Sequence, residues 1–153
     1  QKIFYYKLNL YYKDYTWYGT KATKFKNFIS PQWLRNIKSK KYSKLRLDIL
    51  FSKKKYSNLF FIKNGGWHFT CLKSAQDLEK KLMSFAHHYE FEQSGLKIND
   101  IKKYISEKKV IYDHNADQKS YKWSGKSSLI RLENKFLPKY VSSNINKYKD
   151  WVD

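Results

Sequence analysis

Apolar positions along this chain switch between a period of two and a period near three and a half, and each switch predicts a new element. Residues Ile3 to Tyr12 are dense in tyrosine and leucine and predict a strand, with a turn at Lys13-Asp14. A second extended piece, Lys21 to Phe28, alternates only weakly. Ser30-Pro31 sets an N-cap hydroxyl before a proline at the first helical position and predicts a short helix through Trp33, Leu34 and Ile37. In the basic stretch Ile37 to Tyr56, Leu45, Leu47, Ile49 and Phe51 fall on alternate positions, which predicts a strand ending in a lysine-rich loop. Asn58 to Lys63 reads as a compact buried strand leading into Gly65-Gly66.

Helical spacing then takes over. Ser74 followed by Asp77 forms a capping box, and Leu78, Leu82, Phe85, Ala86 and Tyr89 continue the pattern. The expected helix lays one face on a core and makes His87 and Glu90 surface neighbours. Asn99 is the expected cap of another short helix, carried by Ile98, Ile101, Tyr104 and Ile105. Val110 to Tyr112 is a strand or a turn, residues 113–128 a polar loop, and Pro138 opens a last helix with Val141, Ile145 and Tyr148 along it. Repeats, low-complexity linkers and composition breaks are absent, so residues 1–153 read as one unit of mixed strands and helices, α/β or α+β in class.

Composition narrows the picture. A chain of 153 residues with 41% hydrophobic and 19% aromatic content can bury a core, which excludes a disordered class. No apolar run is long enough to cross a bilayer and no secretory signal opens the chain. It begins with Gln1 rather than Met, so a segment upstream is an expectation. The single Cys71 excludes an internal disulfide framework and is expected to be a small buried residue. A cytoplasmic location fits these features.

A net charge of +19 first suggests nucleic acid. Lysine, however, supplies 29 of the 32 positive residues, leaving only Arg35, Arg46 and Arg131. A surface that reads bases and phosphates favours the planar fork of arginine. Plentiful tyrosine, asparagine and isoleucine beside scarce alanine, glycine and proline point to the codon bias of an AT-rich genome. Nucleic acid is therefore not the expected partner, and peripheral contact with an anionic membrane surface follows as a side effect of charge.

Candidate chemistry begins at Gly65-Gly66-Trp67-His68-Phe69-Thr70. The two glycines permit close backbone approach, Trp67 offers a stacking ring, and His68 and His87 offer imidazoles, a set suited to a sugar or a nucleotide. The stretch Asp113-His114-Asn115-Ala116-Asp117 has the look of a metal cluster, but carboxylates at that loop spacing are expected to be solvated turn residues. No Ser-His-Asp arrangement, zinc spacing or Walker loop is present.

The ordered set Tyr6-Lys7-Leu8-Asn9, Trp17-Tyr18-Gly19, Leu34-Arg35, Gly65 to Thr70, Lys81-Leu82-Met83-Ser84-Phe85-Ala86-His87 and Leu137-Pro138-Lys139-Tyr140 resembles glycosyltransferase family 17. That family includes the β-1,4-mannosyl-glycoprotein N-acetylglucosaminyltransferases. The resemblance implies the C-terminal portion of an A-type (Rossmann-like) glycosyltransferase domain, a mixed sheet with flanking helices. It also implies a nucleotide diphosphate sugar as donor and a glycan, lipooligosaccharide or polysaccharide as acceptor. Family members hold a divalent metal, Mn²⁺ or Mg²⁺, with an Asp-x-Asp motif that these 153 residues lack. The main metal ligands are then expected upstream, with His68 or His87 completing the shell. By the same resemblance Gly65, Gly66, Trp67, Lys81 and Arg35, with Lys80, serve the donor. Glu90 and His87 carry the acid–base work, with Asp77 behind them and better explained as a helix N-terminal carboxylate. The rival reading is a non-catalytic basic module that binds nucleic acid or an anionic polymer.

Overall fold

A computed structural model describes every residue except Lys44, Tyr56, Ser57, His87 and residues 117–120. Among the described residues no helix is long and apolar enough to cross a membrane. The chain divides into two compact units, one of Gln1–Trp17 with Gly66–Asp153 and the other of Tyr18–Gly65. The first is a mixed α/β layer structure around a four-stranded sheet.

Its strands are β1 (Lys2–Tyr5), β2 (Leu10–Thr16), β3 (Trp67–Thr70) and β4 (Ile130–Arg131), in the spatial order β3-β1-β2-β4. β1 runs parallel to β3 and antiparallel to β2, and β2 runs antiparallel to β4. Successive residues of a strand face opposite sides, and β1 is covered on both. Phe4 meets Tyr11 and Phe69 at ring-centroid distances of 5.6 and 5.2 Å, and Leu8 and Leu137 complete that buried face. Ile3, Tyr5 and Tyr12 face the other way, into a core shared with Leu78, Leu82, Phe91 and Ile101. Each of these large apolar side chains stabilises the fold by about 1.5–3 kcal/mol on burial.

Periodicity predicts one strand over Ile3–Tyr12, but the chain forms two. With both faces buried there is no alternation to betray the turn, which lies at Tyr6–Asn9. Tyr6 adopts φ 62°, and Asn9 is buried because its side chain bonds the backbone of Asp153 in both directions, at 2.8 and 3.2 Å. The expected turn at Lys13-Asp14 falls inside β2.

Helices α1 (Pro31–Asn36) and α2 (Leu47–Leu50) belong to the second unit, and α3 (Ala75–Ser84), α4 (His88–Ser94), α5 (Ile98–Ser106) and α6 (Lys139–Ser143) to the first. Two predicted caps are present. Ser30 Oγ accepts the Trp33 N–H, and Ser74 Oγ accepts the Asp77 N–H, both at 3.1 Å. The helix expected to run from Ser74 past Tyr89 is interrupted where Phe85 turns extended, its carbonyl accepting the His88 N–H at 3.0 Å. α5 is capped from Lys97, whose N–H donates to Asp100 Oδ2 at 2.9 Å, and Asn99 lies inside the helix. Pro138 precedes α6, and a 3₁₀ segment, Ile145–Trp151, carries the rest of the predicted last helix.

Within Tyr18–Gly65 the predicted strands do not form. Lys21 to Phe28 contains only a 3₁₀ turn at Phe25–Asn27. The alternating Leu45–Phe51 run closes into α2, and 58–63 is irregular, with Phe60 and Ile62 exposed. An alternating or apolar run becomes a strand only where a partner edge accepts its hydrogen bonds.

The carboxylate of Asp113 holds the first unit together. It is buried, and accepts from the Tyr12 hydroxyl (2.6 Å), the Ser127 hydroxyl (2.6 Å) and the Asn115 N–H (2.8 Å). Burial alone would raise its pKa, but these donors outweigh that and hold it below the usual carboxylate range. Residue 113 is thus not the solvated turn residue its spacing suggests. The same segment takes hydrogen bonds from two further tyrosines, Tyr5 to the Tyr112 carbonyl and Tyr6 to the Lys109 carbonyl. Asp113→Ala is expected to lower unfolding free energy by about 2–3 kcal/mol, read by urea denaturation, because it removes the buried acceptor shared by the Tyr12 and Ser127 hydroxyls. Gly125→Ala should also destabilise, by about 2 kcal/mol: a methyl there would stand 2.5 Å from the Tyr104 ring on a backbone at φ 59°.

Candidate functional site

The pairing of β1 with β2 contains an irregularity that decides which side chains meet. Ile3 stands opposite Tyr12, yet Lys2 stands opposite Thr16, so residues 13–15 are looped out. In regular pairing Tyr12 and Tyr15 would face opposite sides. Here their rings lie 6.2 Å apart, stacked at 25°, on one face. Trp17 follows at 6.5 Å from Tyr15, its N–H bonded to the Gln1 carbonyl at 3.1 Å.

His68 reaches this row from β3, where it pairs in register with Ile3. Its imidazole lies on the Trp17 ring at 5.1 Å and 21°. His114 enters from the loop beyond Asp113. It stacks on Tyr15 at 5.2 Å and 18° and meets Trp17 and Tyr112 edge-on at 5.6 and 5.1 Å. Two imidazoles are therefore held against one tryptophan among tyrosines.

Both rings are pushed below the ordinary histidine range. Burial is the main cause for His68, and the Lys81 ammonium on α3 adds to it. For His114 burial again leads, followed by His68, with Asp113 opposing. Neutral rings at pH 7 can accept a proton or ligate a cation, and Lys81 beside them suits an anionic group.

Trp67 is not part of this cluster. It neighbours His68 in the strand and so projects to the opposite face, where its Nε1–H donates to the Phe136 carbonyl at 2.8 Å. The residue remains 41% exposed. Gly66 adopts φ 133°, a conformation that favours glycine, and its carbonyl accepts the Lys2 N–H at 3.0 Å. Gly65 is exposed at the end of the second unit, which also carries the exposed Arg35 in the last turn of α1. Glu90 is exposed on α4 rather than on the helix of Lys80 and Lys81, and His87 lies outside the described residues. Asp77 is exposed and accepts the Ser74 hydroxyl at 2.7 Å, as a capping carboxylate should. Cys71 is buried, and burial raises its thiol pKa.

Trp17, Tyr15 and His114 are the members that residue patterns do not assign. The apolar Val110-Ile111 ahead of Asp113, with Trp123 behind it, was the signal that this loop borders a core. Among the described residues no group of three His, Cys, Asp or Glu side chains converges as a metal shell. The donor set among the described residues does not by itself fit Mn²⁺ or Mg²⁺, which take mostly oxygen ligands.

No protein-family model matches the chain, and neither a curated protein nor a solved structure matches it.

Because the fold favours both neutral rings, their contribution to stability is complete above about pH 6.5, the unperturbed histidine value, and is lost as pH falls through the lower folded values. Denaturation stability is therefore expected to drop below about pH 6.5, and less so in His114→Gln. Imidazole NMR titrations of His68 and His114 should have midpoints below the ordinary range; midpoints at or above it would contradict the burial described here.

Proposed function

We propose that this chain is part of a nucleotide-sugar-dependent glycosyltransferase, similar to family 17 and of the A-type, Rossmann-like architecture. It transfers a hexose such as N-acetylglucosamine to a glycan, lipooligosaccharide or polysaccharide acceptor. The observation that carries this reading is the face-to-face stack of Trp17 on His68. These residues come from two widely separated segments of the resemblance, and they meet on one face of the sheet.

In this reading Lys81 meets diphosphate oxygens of the donor through charge-assisted hydrogen bonds. The neutral His68 ring is held in one orientation by Trp17, available to a proton or a cation. Gly66, beside His68 at the start of β3, serves the donor, and Glu90 with His87 serves as base toward the acceptor hydroxyl. A divalent metal, when bound, would supply charge neutralisation for the leaving diphosphate, with His68 as the imidazole that this chain offers it. Contact with an anionic membrane surface would bring the protein to lipid-linked acceptors.

Titration calorimetry with uridine diphosphate N-acetylglucosamine in the presence of Mn²⁺ tests the reading. Binding is expected, weakened about tenfold or more by His68→Ala, a change of about 1.4 kcal/mol. His88→Ala is the control for loss of an exposed imidazole and should bind as the unsubstituted chain does. Equal binding by the His68 variant would remove the site, and no binding of any nucleotide diphosphate sugar would remove the function.

A further inference from the structure

We propose that residues 18–65 form a bilayer-docking unit that adheres to anionic lipid and inserts apolar side chains into it. The inference rests on the membrane contact of the reading above and deepens it, and none of the apolar residues it uses belongs to the Trp17–His68 cluster.

Charge supplies the first half. Residues 18–65 hold eleven lysines and two arginines against a single acid, Asp48, for a net charge of +12. That one carboxylate is already paired with Arg46 at 3.0 Å and Lys55 at 3.1 Å. A surface so one-sided attracts polyanions or an anionic membrane.

Exposure of apolar side chains supplies the second half and separates those two partners. Phe25, Leu45, Phe51 and Phe60 are between 88 and 92% exposed, and Leu47 and Ile62 more than 70%. In this unit only Ile37 and Ile49 are buried apolar residues among those described. The lysines are interleaved with the apolar positions, as in Lys24-Phe25-Lys26 and Phe61-Ile62-Lys63. Nucleic acid can stack on phenylalanine and takes a single leucine or isoleucine as a wedge between base steps, but it has no apolar phase for six such side chains together. A bilayer interface takes both, with ammonium groups at the lipid phosphates and the apolar side chains among the acyl chains.

The unit has enough internal structure to present these groups. Ser30 caps α1, the Trp33 indole N–H donates to the Lys53 carbonyl at 3.1 Å, and Lys38 N–H donates to the Lys54 carbonyl at 3.2 Å. Lys21 Nζ donates to the carbonyls of Arg35 and Ile37. None of these bonds uses the exposed apolar side chains.

Co-sedimentation of the whole chain with phosphatidylcholine vesicles, with and without phosphatidylserine, tests the proposal. Binding is expected with phosphatidylserine and about tenfold weaker without it. Phe51→Ser/Phe60→Ser should weaken binding to the anionic vesicles about tenfold with the melting temperature unchanged, while His88→Ala binds as the unsubstituted chain does. Undiminished binding in the double variant would reduce the contact to charge alone and overturn insertion. Binding indifferent to phosphatidylserine, or tighter binding to an RNA or DNA duplex at the same salt concentration, would overturn the lipid assignment.

Discussion

Strand β1 has no free edge and no free face, and the rest of the first unit is arranged by that constraint. β2 and β3 satisfy its backbone, while Phe4 and Ile3 point into separate cores on its two sides. Every neighbour must supply a complementary surface at a fixed register. The register breaks once, between Lys2 and Ile3, and that break brings Tyr12, Tyr15 and Trp17 to a common face. A regular hairpin of the same residues would have divided them between the two cores.

The loop after α5 answers this surface with hydroxyl acceptors. Tyr5, Tyr6 and Tyr12 donate to the Tyr112 carbonyl, the Lys109 carbonyl and the Asp113 carboxylate respectively. Burial and the Asp113 bond push the Tyr12 pKa up to about 12, so it stays a donor at any ordinary pH. The residue that follows Asp113 is His114, held against Tyr15 and Trp17. Support of the sheet and placement of the imidazole are thus duties of one short segment, and damage to either is felt by the other.

Local signals in the sequence located what local physics decides. Ser30-Pro31 and Ser74 with Asp77 each start a helix, because capping involves groups only a few residues apart. His68 is legible as a candidate because an imidazole beside a glycine pair is unusual chemistry, and it does sit among aromatic rings. Partner-dependent features were hidden. The alternation at Leu45–Phe51 predicts a strand, yet no edge receives it, and the apolar density of Ile3–Tyr12 conceals a turn made possible by Asn9 and the distant Asp153. Asp113 looks like a solvated loop residue until its three donors are known. The pairing of Trp17 with His68, and the separation of Trp67 from it, depends on strand register, which periodicity does not specify.

The bonds at Asn9 have a consequence for the order of assembly. Both of its side-chain bonds go to Asp153, and the Leu8 N–H donates to the Trp151 carbonyl at 2.7 Å, so the connection between the first two strands is closed by residues made some 140 positions later. Until those residues are made, the β1–β2 connection lacks the partners that hold it in the folded chain. β3 arrives only after the basic unit has been synthesised, and the tyrosine acceptors later still. Such long-range closure slows folding and leaves an aggregation-prone intermediate. The lysine-rich stretch between the second and third strands, with its net charge of +12, then repels its like on other chains and keeps unfinished copies apart until residues 151–153 close the turn.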